Sequence, residues 1–484
     1  MTDSPLAPSW LRCPEDANAL PSTVWSRGAV RAPGGAIEIA GVSTIDLARR
    51  YGTPLFVVDE ADVRARAQDV RQSFEREFAR VGTAAKVYYA GKAFLSTEIA
   101  RWMIEAGLNI DVCSGGELAV ALAAGVDPHC LGFHGNNKSV AEIDRAVAVG
   151  VGVIVIDSLV EIGRVAAAAE RHQRRQSVRL RVNSGVHAHT HEYLATARED
   201  QKFGIALTDA SAAAVAIRAH PWLDFLGLHS HIGSQIFGFD GFAESASRLL
   251  ELHAALLVDG PVPELNLGGG FGIAYTSADE ATPLSEIARN LADIVSEQVT
   301  RLGIPAPVIA VEPGRSIVGP STVTLYEVGT VKDVEVQTGT TGQTAVRKYV
   351  SVDGGMSDNV RAALYAADYS VRIAGRRSDA DAVLVRVAGK HCESGDIVVR
   401  ADYLPGDVEP GDLLAVPATG AYCWSLASNY NYLGRPAVVA VRGAHARIIV
   451  RGETEQDLLS RDAGIPRQAD GAVRSQPGPE NGER

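Results

Sequence analysis

Between residues 86 and 311, short β-branched and aromatic runs alternate with longer Ala-rich helical segments. Eight of the apolar runs read as strands, at 86–89, 109–112, 130–133, 152–156, 178–182, 224–228, 264–267 and 307–311. Each is followed by room for a helix, and the span approaches the ~250 residues typical of a (β/α)8 TIM barrel. A doubly wound open sheet shows the same alternation and stays open as the alternative, because periodicity does not demonstrate closure.

After 319 the pattern changes. Runs at 322–336, 347–352, 382–387, 396–399, 413–417 and 437–451 are separated by Gly, Pro and Asp turns with few helical stretches, which predicts a second, mainly β domain. Residues 36–39 are expected to add a strand to that domain, and 44–51 to form a short helix leading into the barrel. The expected organisation is an N-terminal segment 1–52, a barrel 53–320, a β domain 321–461 and a tail 462–484. That tail has almost nothing to bury and is expected to be disordered.

Composition narrows the function classes. A composition of 46% hydrophobic and 21% charged residues is ordinary for a soluble globular enzyme, and 484 residues can bury a large core over two domains. A net charge of −12 supplies no basic field for nucleic acid or an anionic membrane. Five scattered cysteines without a CxxC pair, no apolar run of bilayer length and no secretory start predict a cytoplasmic protein. No metal is expected.

Polar and glycine-rich residues gather directly after the predicted strands, at the end where a barrel builds its site. Lys92, in Val87-Tyr-Tyr-Ala-Gly-Lys-Ala-Phe94, follows the first strand and is one of seven lysines among 46 basic residues. A lysine amine at a strand end suits a Schiff base if burial lowers its pKa, although a lone lysine more often caps a helix or pairs with an acid. Gly268, Gly269 and Gly270, within Gly268-Gly-Gly-Phe-Gly272, let backbone N–H groups surround a phosphate; a bare turn is the plainer alternative. Glu312, in Glu312-Pro-Gly-Arg315, suits a protonated pyridine nitrogen, and Arg315 offers a fork to a carboxylate or phosphate. His231 is placed to lie on a ring and Ser234 to donate to a phosphate, whereas His229 reads as structural. Cys392 lies in the polar loop His391-Cys-Glu-Ser-Gly-Asp396, where a mostly protonated thiol can serve as an acid. Together these pieces suggest a tether, phosphate cradle and ring-nitrogen partner for pyridoxal 5'-phosphate.

Over roughly 22–454 the chain resembles the diaminopimelate decarboxylase family, pyridoxal-phosphate enzymes of the alanine-racemase-like fold class. The motifs that carry the resemblance include Tyr89-Ala-Gly-Lys-Ala93, Asp111-Val-Cys-Ser-Gly-Gly-Glu-Leu118, Phe133-His-Gly-Asn-Asn-Lys-Ser139 and His187-Ala-His-Thr-His-Glu-Tyr193. Further along stand His229-Ser-His-Ile-Gly-Ser-Gln235, Gly268-Gly-Gly-Phe-Gly272, Glu312-Pro-Gly-Arg-Ser316, Asp353-Gly-Gly-Met-Ser-Asp-Asn359, Cys392-Glu-Ser-Gly-Asp396 and Gly420-Ala-Tyr422. The resemblance implies a barrel plus a β domain assembled from both chain ends. It implies a Schiff-base lysine at Lys92 and cofactor contacts at His231, Ser234, Gly270, Glu312, Gly314, Arg315 and Tyr422. Substrate contacts are implied at Arg315, Arg361, Tyr365, Glu393 and Tyr422. Cys392 is implied as proton donor, reaching the site of a second subunit in a homodimer. Residues 183–186 read Asn-Ser-Gly-Val where the family commonly has a Pro before the glycine, which bears on loop shape and on no assigned role.

Arg361 and Tyr365 stand four residues apart, so a helix there would put both on one face, aimed at a carboxylate. With Glu393 for an ammonium, the far end of the substrate is expected to be zwitterionic, as in meso-diaminopimelate. A substrate with a merely cationic end would call for an acid instead. The expected reaction is decarboxylation to L-lysine. The rivals are a decarboxylase of another amino acid or of a carrier-bound substrate, a racemase, and a non-catalytic cofactor-binding protein.

Overall fold

The computed structural model describes residues 4–186, 202–339 and 342–465. The motif at 187–193 and the tail beyond 465 lie outside the described residues.

All eight predicted barrel strands form and run parallel: Ala85–Ala90, Asn109–Val112, Leu131–Phe133, Val153–Ile156, Gln176–Asn183, Leu223–His229, Glu264–Asn266 and Val308–Val311. Ile154 pairs with Val178 in the middle of the ring, and Ile309 of the last strand pairs with Ala85 of the first. The sheet is therefore closed, which removes the doubly wound alternative. Short loops end in serine caps that start the helices at once. Ser96, Ser114 and Ser139 each accept a hydrogen bond from a first-turn N–H, and Ser139 forms a capping box with Glu142. This keeps the residues after each strand at the barrel mouth.

The last strand is followed by only one helical turn, Arg315–Val318. The vacant outer position is taken by Glu60–Arg80, which packs on Leu284–Leu302 and on the first strand. Its buried stripe of Val63, Ala67, Val70, Phe74 and Phe78 has the spacing of one helical face.

The second sheet is built around Thr322–Gln337. The first half of this strand pairs with Leu55–Asp59 and Leu413–Val416, and its second half with Thr344–Val352. Ala437–Arg442 lies parallel to Leu55–Asp59 on its other side. A strand from before the barrel thus sits inside a sheet made otherwise of residues after 320. Two expectations change here. Residues 36–39 do not supply that strand: Ile37–Ile39 forms a small antiparallel sheet with Ala29–Arg31 and Val42–Ser43. The inserted strand is Leu55–Asp59, in the segment expected to open the barrel; its side chains are all buried, as a strand with neighbours on both sides requires. The run 437–451 is likewise two strands, Ala437–Arg442 and His445–Val450, joined by a tight turn in which Gly443 and Ala444 have φ of 56° and 63°. Among the described residues no helix is long and apolar enough to cross a membrane.

Candidate functional site

Lys92 sits in a single turn, Gly91–Ala93, immediately after the first barrel strand. Its side chain opens onto a cavity of about 290 Å³ at the barrel mouth, walled also by Asp111, Cys113, His134, Arg181, His231 and Glu312. A smaller cavity of about 40 Å³ shares Ala90, Lys92, His231 and Glu312, and is completed by Ser234, Gly270, Phe271, Gly314, Arg315 and Tyr422. Residues spread from 92 to 422 along the chain thus meet at one place.

The smaller cavity has the character of an anion cradle. Gly270 has φ 103°, a conformation that L side chains rarely adopt, and a Cβ there would overlap the Gly233 carbonyl oxygen. Gly269 donates its N–H to His231 Nδ1 at 3.2 Å, which couples the glycine loop to the histidine. Gly268 donates to Asn266 Oδ1. Arg315 is buried, donates to Ser234 Oγ at 2.8 Å and to Tyr275 Oη, and lies 4.6 Å from the Tyr422 ring centre. Its Nε has no hydrogen-bond partner, so a buried guanidinium is left with an unsatisfied donor. A glycine loop, a serine hydroxyl and an unsatisfied guanidinium around one small space fit a phosphate group.

At the opposite wall, Glu312 accepts a hydrogen bond from Asn266 at 2.7 Å and lies 3.1 Å from His229 Nε2. His134 Nε2 stands 3.5 Å from Glu312 and 3.1 Å from Asp111. Burial depresses both His134 and His229 to about 4, against the pull of Glu312, so both imidazoles are neutral at pH 7. Burial pushes Glu312 up, while attraction to His229 and His134 and the His229 hydrogen bond pull it below the usual range; with both rings neutral at pH 7, hydrogen bonding to His229 and Asn266 is what favours the ionised form there. Asp111 is driven well above its usual value by burial and by Glu312. The wall therefore favours the ionised form on Glu312 over Asp111, whose shift runs the opposite way.

The expectation for Lys92 needs correcting. Burial does lower its pKa, but Tyr422, Cys113 and Glu312 outweigh that effect and the net shift is upward. The strand-end position is as expected; the groups that raise the amine come from distant parts of the chain and face it only in the folded barrel.

Tyr422 comes from the β domain, with φ 64°, and its N–H donates to the Ala93 carbonyl at 2.9 Å, which fixes that domain against the lysine turn. Arg361 and Tyr365 do form a helix, Arg361–Tyr365. Arg361 is buried behind the cradle, not in it: it donates to Tyr369 Oη and stands 4.4 Å from the ring centre of Tyr275, the tyrosine that also bonds Arg315. Tyr365 is half-buried and borders neither cavity. Cys392 and Glu393 are exposed and stand outside both cavities of their own chain. Their loop is held firmly. Cys392 N–H donates to Asn431 at 3.0 Å, while the buried pair His391–Asp396 braces the other side at 2.9 Å. Asp111, Cys113, His134 and Arg181 are wall residues to which the sequence attached no role, although each stands at or just beyond the C-terminal end of a predicted strand.

The described family of pyridoxal-dependent decarboxylases matches residues 60–319 through its pyridoxal binding domain. The chain is 52% identical over 449 residues to diaminopimelate decarboxylase of Mycobacterium tuberculosis, covering 91% of this chain and 98% of that protein. It is 47% identical over 448 residues to that of Corynebacterium efficiens, covering 92% and 95%. Among solved structures, diaminopimelate decarboxylase from M. jannaschii in complex with L-lysine superposes with a TM-score of 0.82 at 29% identity, covering 91% of this chain and 98% of that one.

Proposed function

The chain belongs to the diaminopimelate decarboxylases within the pyridoxal-dependent decarboxylase family, and on that premise we propose the chemistry of its site. The protein removes CO2 from meso-2,6-diaminopimelate to give L-lysine, the last step of lysine biosynthesis. The observation that carries this reading is the meeting of Lys92, Glu312 and the Gly270–Arg315 cradle around one pair of adjoining cavities.

Pyridoxal 5'-phosphate is the cofactor we assign to this site, and it supplies a ring that takes up the electron pair left at Cα when the carboxyl group departs. Lys92 holds it through the amine. Gly268, Gly269, Gly270, Gly314, Ser234 and Arg315 receive its phosphate, His231 covers one face of the ring, and Tyr422 closes the cradle. Glu312 keeps the ring nitrogen protonated, a role supported by its pKa being held down while that of Asp111 beside it is pushed up.

For substrate we assign Arg315, Arg361, Tyr365, Glu393 and Tyr422. Arg361 and Glu393 would take the distal carboxylate and ammonium. Cys392 returns the proton to Cα, in the neighbouring subunit of a homodimer. What supports the shared site is that the Cys392–Glu393 loop is ordered yet exposed, beside Tyr430 and Tyr432 at 41% and 71% exposure. We also assign the enzyme to the cytoplasm, consistent with its five free cysteines.

The test is CO2 release from purified protein with meso-diaminopimelate, lysine, ornithine and arginine in parallel. Turnover confined to diaminopimelate supports the assignment; preference for ornithine or arginine would redirect it to the rival decarboxylases.

A further inference from the structure

Among the described residues lining the larger cavity, Arg181 is the one strongly basic group that the proposed chemistry leaves unused. It projects from the fifth barrel strand, is 8% exposed, and lies 4.2 Å from the ring centre of Phe203. Among the described residues its nearest carboxylate is Asp157, at 3.9 Å, too far for a hydrogen bond. Asp157 is itself committed to the Gly204 N–H through its other oxygen. A guanidinium buried without a hydrogen-bonded counter-charge is costly to the fold unless an anion arrives to meet it. Burial lowers its pKa, and Asp157 and Glu312 restore only part of that loss.

The anion follows from the connectivity of pyridoxal phosphate, so the inference rests on the cofactor assignment above. The ring nitrogen and the aldehyde carbon lie opposite each other across the ring, and Glu312 and Lys92 would hold those two ends. Both residues belong to the wall shared by the two cavities. The phosphate arm and the hydroxyl flank the aldehyde carbon on opposite sides. An arm directed into the Gly270–Arg315 cradle therefore sends the hydroxyl oxygen toward the larger cavity. There, apart from Lys92, Arg181 is the strongly basic residue among the described lining residues. We propose that Arg181 receives this ring oxygen and holds it as the anion, making Arg181 a cofactor-binding residue that sets the protonation of the bound chromophore.

The groups around Arg181 bear on the pH dependence. Asp157 and Glu312 carry negative charge, and Lys92 and Lys138 positive charge. Burial raises Cys113 to about 12, and burial keeps His134, His229 and His231 neutral near pH 7. None of these replaces a cation at the ring oxygen.

The experiment is a pH titration of the bound-cofactor absorbance in the holoenzyme, with the cofactor dissociation constant measured by equilibrium dialysis. Removing a cation within contact of an acid moves its midpoint by about one to three units. In Arg181→Met the midpoint is expected to rise by at least about one unit and the dissociation constant about tenfold, while Arg181→Lys recovers most of both. An unchanged midpoint and dissociation constant, with KM for diaminopimelate raised instead, would assign Arg181 to the substrate and overturn the proposal. If Arg181→Met does not fold, wild-type apoprotein is reconstituted with 3-O-methylpyridoxal phosphate, whose oxygen cannot ionise. At least tenfold weaker binding than pyridoxal phosphate is expected, and equal affinity overturns the proposal. Failure of wild-type protein to take up any pyridoxal phosphate would instead sink the cofactor assignment itself.

Discussion

Replacing Gly270 by alanine tests the cradle most directly. At φ 103° a side chain is strained, at about 1–3 kcal/mol. The added Cβ would also overlap the Gly233 carbonyl oxygen, with the carbonyl carbon at 3.1 Å and Ile236 Cδ1 at 3.2 Å. The first neighbour is backbone in the loop that carries Ser234, so it cannot rotate away, and overpacking adds about 1–3 kcal/mol. The loop relieves this by moving off Gly233, which spreads the very groups assigned to the phosphate. If about 2–3 kcal/mol of the strain is relieved in that way, cofactor affinity falls roughly 10²-fold. The assay is a fluorescence titration of apoprotein with pyridoxal phosphate, paired with thermal unfolding. Gly163→Ala is the matched control. It lies in the helix Leu159–Arg171 with no heavy atom within 4 Å of an added Cβ, and is expected to stabilise by about 0.4–1 kcal/mol. A Gly270→Ala protein that binds cofactor within about threefold of wild type would refute the cradle argument.

Lys92→Ala is expected to abolish both the covalent chromophore absorbance and turnover; normal turnover would remove the lysine from the mechanism. Mixing Lys92→Ala with Cys392→Ala subunits should regenerate hybrid dimers with one intact site and roughly a quarter of wild-type activity, because half the dimers are hybrid; no recovery after confirmed subunit exchange would place the cysteine elsewhere. Arg361→Met is expected to raise KM for diaminopimelate about 10²-fold with a smaller effect on kcat, the pattern of a lost ion pair to bound substrate, and equal KM would exclude it. For pH, His253 is buried in the helix Asp240–Leu256 and burial lowers it from 6.5 to about 4. The unfolded chain then binds the extra proton between those values, so stability is intact above about 6.5 and declines as pH falls toward 4, by about 3 kcal/mol in all. Denaturant titrations at pH 7 and 4.5 should show a smaller difference in His253→Gln than in wild type; identical differences would contradict it.

Much of the barrel was legible because its signals are local. Eight β-branched runs with polar residues at one end mark the strands and the mouth, and serine caps after three of them mark where the helices begin. Leu55–Asp59 was not legible as part of the β domain, since a buried apolar strand reads the same whichever sheet receives it. The turn at Gly443-Ala444 was not legible because it lacks the usual Asn-Gly or Asp-Gly signal, although both residues adopt the left-handed conformation. Arg181 illustrates a different limit. Its place inside the fifth predicted strand, 178–182, was visible, but nothing in the chain announces that it would be buried on the wall facing Lys92 without a hydrogen bond to any described residue.

What the sequence determined by itself was the list of chemical groups and their order: an amine, glycines, a carboxylate and a guanidinium, each beside the end of a strand. Tertiary structure alone decided that these ends meet. Pairing Ile309 with Ala85 closes the ring and brings Lys92 and Glu312 to one wall, and a strand from before the barrel anchors the domain that delivers Tyr422 to the mouth. The physical reason is range. Backbone periodicity and capping act over a few residues, whereas sheet closure, burial and the fields that set the charges of Lys92 and Glu312 come from groups far apart in the chain.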